Sequence, residues 1–117
     1  MGTNFYAVLN RPTVRRPIHI GKRSAGWLFN FESYNEPYDD PPLVWNTYDQ
    51  VKSWLQEYVS EKSEYVIMDE YDRILTVTEF LDMVEAIQND PNCLKNRDNF
   101  TYSRNVNGYR FSDQDFC

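Results

Sequence analysis

Ile18-His19-Ile20-Gly21-Lys22-Arg23-Ser24-Ala25-Gly26-Trp27-Leu28-Phe29-Asn30-Phe31 decides how this chain is read. It holds the single histidine and two of the four glycines. Ile18 and Ile20 flank His19, while Trp27, Phe29 and Phe31 alternate with Leu28, Asn30 and Glu32. Alternation with a period of two marks half-buried strands. The expectation is therefore strand, tight basic turn, strand, with His19 on the face opposite the isoleucines. Gly21 and Gly26 would bracket the turn, because glycine admits positive φ and close backbone approach. A bend that presents Lys22, Arg23, Ser24 and free amides can hold a phosphate or carboxylate. His19, Lys22, Arg23, Ser24 and Trp27 are thus candidate residues for binding a nucleotide-like or other anionic small molecule. Solvated cations at a hairpin tip are the competing explanation. A P-loop is excluded, since Arg16 stands where its first glycine belongs and a strand follows instead of a helix.

Outward from this stretch, Asn4 to Asn10 reads as a first strand and the Pro- and Arg-rich run Arg11 to Pro17 as a loop. Ser33 to Asn46 contains Pro37, Pro41, Pro42 and the pair Asp39-Asp40. It reads as a long loop with aromatic anchors at Tyr34, Tyr38 and Trp45, either pinned to the surface or part of a site. Thr47 and Gln50 form a capping-box pattern, and Tyr48, Val51, Trp54, Leu55, Tyr58 and Val59 share one face of a helix over 48–59. Residues 64–69 read as a strand, Asp69-Glu70-Tyr71-Asp72 as a turn and 73–75 as a returning strand. Thr76 and Glu79 form a second capping pattern. It opens a helix over 77–88, which Asn89-Asp90-Pro91 ends. Asn107-Gly108, between Tyr102–Val106 and Tyr109–Phe111, marks a hairpin.

Two amphipathic helices among short strands require an apolar sheet face to cover. The fold class is α+β: an antiparallel β-sheet with both helices packed on one face, in a single domain over 1–117. A chain of 117 residues suits one core. No apolar run nears the roughly 20 residues of a membrane span, and no secretory leader is visible, so no membrane partner and a cytoplasmic location are expected. Cys93 and Cys117 lack metal-ligand spacing and are expected to be reduced and incidental.

The net charge of −6 is unevenly spread. Arg11, Arg15, Arg16, Lys22 and Arg23 make residues 1–31 +5, whereas residues 32–90 hold 15 acids and three cations and amount to −12. That acidity opposes direct binding to long nucleic acid, where phosphate neutralisation dominates affinity. It suits docking on a basic protein surface that otherwise serves nucleic acid. Candidate partner-binding residues are Tyr34, Tyr38, Asp39, Asp40, Asp69, Glu70 and Asp72. The acids of the 69–72 turn match no calcium loop, and turn propensity alone accounts for them. There is no zinc pattern, nucleophile elbow or dinucleotide fingerprint, so no cofactor and no catalytic residue are assigned.

Met1-Gly2-Thr3-Asn4-Phe5-Tyr6 and the Ile18 to Trp27 run resemble a family of small proteins encoded in bacteriophages and prophages. Asp69 to Arg73, the Thr76-x-x-Glu79-Phe80 helix start and Asn107 to Phe111 extend the resemblance over most of the chain. Some members carry a cysteine pair ahead of the Ile-His-Ile-Gly motif. Arg11 to Arg16 has none here, so the resemblance implies no metal. It implies a phage context and an accessory role, not a reaction. The first expectation is a phage-encoded accessory protein that binds and inhibits a host factor stoichiometrically, in counter-defence such as an anti-CRISPR role. The second is a binder of anionic small molecules at the basic turn. The third is a small hydrolase or transferase that uses His19 with Asp69 or Asp72. A homo-oligomer is compatible with each.

Overall fold

A computed structural model of the chain describes residues 2–11, 17–24, 29–39, 41–89, 103–106 and 109–112. The strands are β1 (Gly2–Leu9), β2 (Ile18–Ser24), β3 (Asn30–Glu32), β4 (Tyr34–Glu36), β5 (Leu43–Trp45), β6 (Tyr65–Asp69), β7 (Ile74–Leu75), β8 (Ser103–Val106) and β9 (Tyr109–Ser112). Helix α1 (Tyr48–Leu55) continues into a π-helical turn, Gln56–Glu61, and α2 spans Val77–Gln88. The main sheet runs β7-β6-β1-β2-β3-β9-β8, and β4 and β5 form a separate two-stranded sheet. Every described pairing is antiparallel except β3 with β9, which is parallel. This is the expected α+β architecture.

One face of the sheet is apolar. Phe5, Ala7, Ile20, Phe31, Ile67 and Phe111 are buried there, with Phe29 beside them. Both helices cover this face. From α2, Phe80 meets Phe5 at 5.6 Å and Phe29 at 5.5 Å between ring centroids. From α1, Trp54 meets Tyr65 at 5.2 Å, and Tyr48 meets Phe31 at 6.0 Å. Each helix starts where its cap directs. The Thr47 hydroxyl accepts from the Gln50 amide, and Gln50 reaches back to the Asn46 amide. Thr76 and Glu79 complete a reciprocal capping box.

The Tyr48 hydroxyl donates to Glu85 Oε2 at 2.8 Å, and its ring stacks on Tyr109 at 4.1 Å. This brace ties α1, α2 and β9 together. Burial first, and then the Glu85 carboxylate, push the Tyr48 phenol far above its ordinary range, so it stays a donor at any working pH.

The structure corrects two expectations about connections. Gly21, Lys22, Arg23 and Ser24 are not a turn; they continue β2, paired with β1 over Gly2–Phe5 and with β3 through Gly21↔Phe31 and Lys22↔Asn30. The supposed loop over 33–46 contains the β4–β5 hairpin, with Tyr34↔Trp45 in register and their rings edge to face at 5.4 Å. Trp45 is fully buried, and its indole N–H donates to the Glu32 carbonyl at 2.6 Å, which locks this hairpin onto the end of β3. At the C-terminal hairpin, the Val106↔Tyr109 register leaves Asn107 and Gly108 between the strands, outside the described residues. Both cysteines also lie outside them. No helix of the described residues is long and apolar enough to cross a membrane.

Candidate functional site

The face of the sheet that the helices leave uncovered carries a polar cluster where β1, β2 and β3 meet, and a bulge organises it. Phe5 pairs with Gly21 but Tyr6 pairs with His19, so Ile20 is the extra residue on β2. In a regular strand, residues three apart point to opposite faces. With the bulge, Ile20 and Gly21 are both buried, while His19 and Lys22 stand opposite Tyr6 and Asn4 on the uncovered face. Asn30, opposite Lys22, and Glu32, two residues on, belong to the same face.

His19 is held on every side. Asn4 Nδ2 donates to Glu70 Oε1 at 3.2 Å, which turns Asn4 Oδ1 toward His19 Nε2 at 2.9 Å. With the Asn4 amide so oriented, Nε2 donates to Asn4 Oδ1. Nδ1 faces Glu32 Oε2 at 3.9 Å, too long for a hydrogen bond; the two pair as charges only when the ring is protonated. Glu32 is only 5% exposed. The Tyr6 ring lies 5.2 Å from the imidazole, and the Tyr34 hydroxyl donates to the His19 carbonyl at 2.8 Å. An anion approaching His19 meets the Glu32 carboxylate, and the amides expected to greet it belong to the β2 ladder. The cations expected on a turn thus stand on a paired strand, with a carboxylate beside His19. Lys22 is half-buried and Arg23 exposed on β2; Ser24 ends that strand, and Trp27 lies outside the described residues.

Glu32 beside His19 is the residue that sequence reasoning missed. Its face was available from the alternation with Phe31, but its neighbour depends on the bulge. The pairing of His19 with Asp69 is also corrected. Asp69 stands opposite Phe5 and turns to the helix-covered side, whereas His19 stands opposite Tyr6.

Asp69 is 4% exposed, so its place as a partner contact is corrected too. Oδ1 accepts from the Tyr71 and Arg73 amides at 2.9 and 3.0 Å, and Oδ2 accepts from Arg73 Nε at 2.7 Å. It pins the β6–β7 turn, in which Asp72 takes a left-handed φ of 64°. Burial alone would raise the Asp69 carboxyl, but the Arg73 and Tyr71 amides and the Arg73 guanidinium outweigh burial and hold it below the usual aspartate range. A depressed value contributes stability in full above the unfolded-state pKa near 3.8. That contribution is lost as pH falls through the lower folded-state value. Asp69→Asn should therefore lose about 2 kcal/mol at neutral pH. Its urea midpoint should converge on that of the wild type below about pH 4. A gap that persists unchanged at low pH would assign the loss to shape rather than charge.

Glu70 is exposed at this turn and accepts from the Asn4 amide at 2.7 Å, so it fixes the end of β1. Asp72 is exposed. At the β4–β5 tip, the Asp39 amide donates weakly to the Glu36 carbonyl at 3.4 Å. Tyr38 is 98% exposed, against 63% for Tyr71 and 64% for Ile74. Partial desolvation, and then Asp39 through a hydrogen bond and repulsion, raise the Glu36 carboxyl above its ordinary range. Tyr34 is half-buried against Trp45, and Asp40 lies outside the described residues. Among the described residues, no group of three or more His, Cys, Asp or Glu could hold a metal ion. No family model, curated protein or solved structure matches the chain.

Proposed function

We propose that this chain acts by stoichiometric binding, as a phage-encoded accessory protein that inhibits a host factor of an anti-phage defence system. It docks its acidic surface on a basic one that would otherwise hold nucleic acid. The observation that carries this reading is the β4–β5 tip, where the Tyr38 ring stands in solvent, with Asp39 next to it in the chain and Glu36 two residues before it. A wholly exposed tyrosine gains nothing for the fold, yet it offers a large amphipathic anchor for an interface. The carboxylates around it favour a cationic partner and speed encounter. The resemblance of the Met1–Tyr6 and Ile18–Trp27 motifs to phage-encoded proteins supplies the setting.

The test is affinity capture from a lysate of the bacterial host, with native mass spectrometry of what is recovered. The expected result is one host protein in whole-number stoichiometry, with recovery reduced about tenfold or more by Tyr38→Ala. Failure to recover a stoichiometric partner, or recovery indifferent to Tyr38→Ala, would overturn the reading.

A further inference from the structure

Grooves open on the described surface, of which two bear on binding. One, of about 250 Å³, is lined by Asn10, Ser60, Ser63 and apolar neighbours and carries no charged side chain. The other, of about 390 Å³, lies between α1 with its π-helical turn and the Pro42–Val44 segment. Its floor is aromatic and its rim acidic. Trp54 and Tyr58 lie on one row of the helix, with ring centroids 4.8 Å apart. Asp49 and Glu57 lie on the adjacent row, and Pro42 and Val44 form the facing wall.

The chain already shows what this groove attracts. Lys62 Nζ sits 3.1 Å from Glu57 Oε2 and 4.8 Å over the Tyr58 ring. A cation is thus held by one carboxylate and one π-face at the groove's end. The π-helical turn makes this possible, since the Lys62 amide bonds to the Glu57 carbonyl five residues back and brings the lysine over Tyr58. An arginine would use the same pair better, because its planar guanidinium stacks on a ring while bonding a carboxylate. Asp49 stands two helical turns from Glu57, roughly 12 Å along the axis. Two side chains four residues apart on an extended chain are separated by roughly 13 Å.

We propose that this groove binds an extended basic segment of the partner protein, taking two arginine or lysine side chains four residues apart at Asp49 and at Glu57 with Tyr58. The site rests on the proposed function for its partner, but not for its chemistry.

The probe is a fluorescein-labelled peptide, Gly-Arg-Ser-Gly-Ser-Arg-Gly, read by anisotropy at low ionic strength. Its counterpart has glutamine for both arginines. The arginine peptide should bind and the glutamine peptide should not, with binding weakening as salt is added. Glu57→Gln should weaken binding about tenfold. Lys62→Gln should tighten it about threefold, because it vacates the carboxylate and the ring, an effect that general destabilisation would not produce. No difference between the peptides, an unchanged affinity in Glu57→Gln, or weaker binding in Lys62→Gln would overturn the site. Tyr38→Ala separates the two readings, since it should leave peptide affinity unchanged. Peptide binding without a captured host protein would overturn the proposed function and keep the groove. Tyr38-dependent capture without peptide binding would do the reverse.

Discussion

Gly21→Ala is expected to lower stability by about 3 kcal/mol, and Gly21→Val to leave no folded protein. A Cβ at position 21 would stand 2.4 Å from the Asn30 carbonyl oxygen and 2.5 Å from Phe29 Cε1. Neither neighbour can yield cheaply. Asn30 is the ladder partner of Lys22, so moving its carbonyl unpicks β2 from β3. Phe29 is fully buried against Phe5, Phe31 and Phe80. The glycine is needed here for space, not for an unusual φ. Urea unfolding should show the alanine variant with a lower midpoint and little change in slope. A midpoint within the error of the wild type would show that β3 relaxes freely, and that the tight β2–β3 approach contributes nothing.

Phe80→Ala should cost about 4 kcal/mol, a large part of the 5–15 kcal/mol that holds a domain of this size together. Phe80 is the fully buried residue of α2 that joins the helix to Phe5 and Phe29, both at edge-to-face angles, 61° and 87°. Truncation removes apolar area and two oriented ring contacts, and leaves a cavity between rigid rings that cannot collapse into it. Phe80→Leu, which keeps most of the volume, should lose roughly half as much. Equal losses for the two substitutions would mean that ring geometry, rather than filled volume, sets the stability of the joint. The capping box at Thr76 and Glu79 should be untouched in both, so helix content by circular dichroism should persist in the folded fraction.

Local signals in the sequence read well wherever one residue or one spacing settles the matter. Thr47 and Thr76 start the helices where their hydroxyls suggest, and the alternation of Phe29 and Phe31 with Asn30 and Glu32 divides β3 between two faces. Local signals mislead where a long-range pairing decides. Lys22 and Arg23 look like a turn because two glycines bracket them, but Gly21 is required by a neighbouring carbonyl, which no local pattern reveals. Three prolines made 33–46 look like a loop, although Tyr34 and Trp45 pair across it. His19 reads as a strand residue from its alternation with Ile18 and Ile20. Its companions, Asn4 and Glu32, come from two other strands and depend on the one-residue slip at Ile20. The acids of the 69–72 turn look equivalent in sequence, yet Asp69 alone is turned inward, because the amides that return at Tyr71 and Arg73 bind it.

The parallel junction of β3 with β9 has a consequence for biosynthesis. Asn30 pairs with Arg110, so β3 gains its outer neighbour only after another 80 residues have been added. At ~5–20 residues per second, a nascent chain waits roughly 4–16 s on the ribosome with that edge uncovered. During this interval Phe31 lacks the stacked ring of Phe111, and any chaperone that attends this protein should be recruited to that unfinished border.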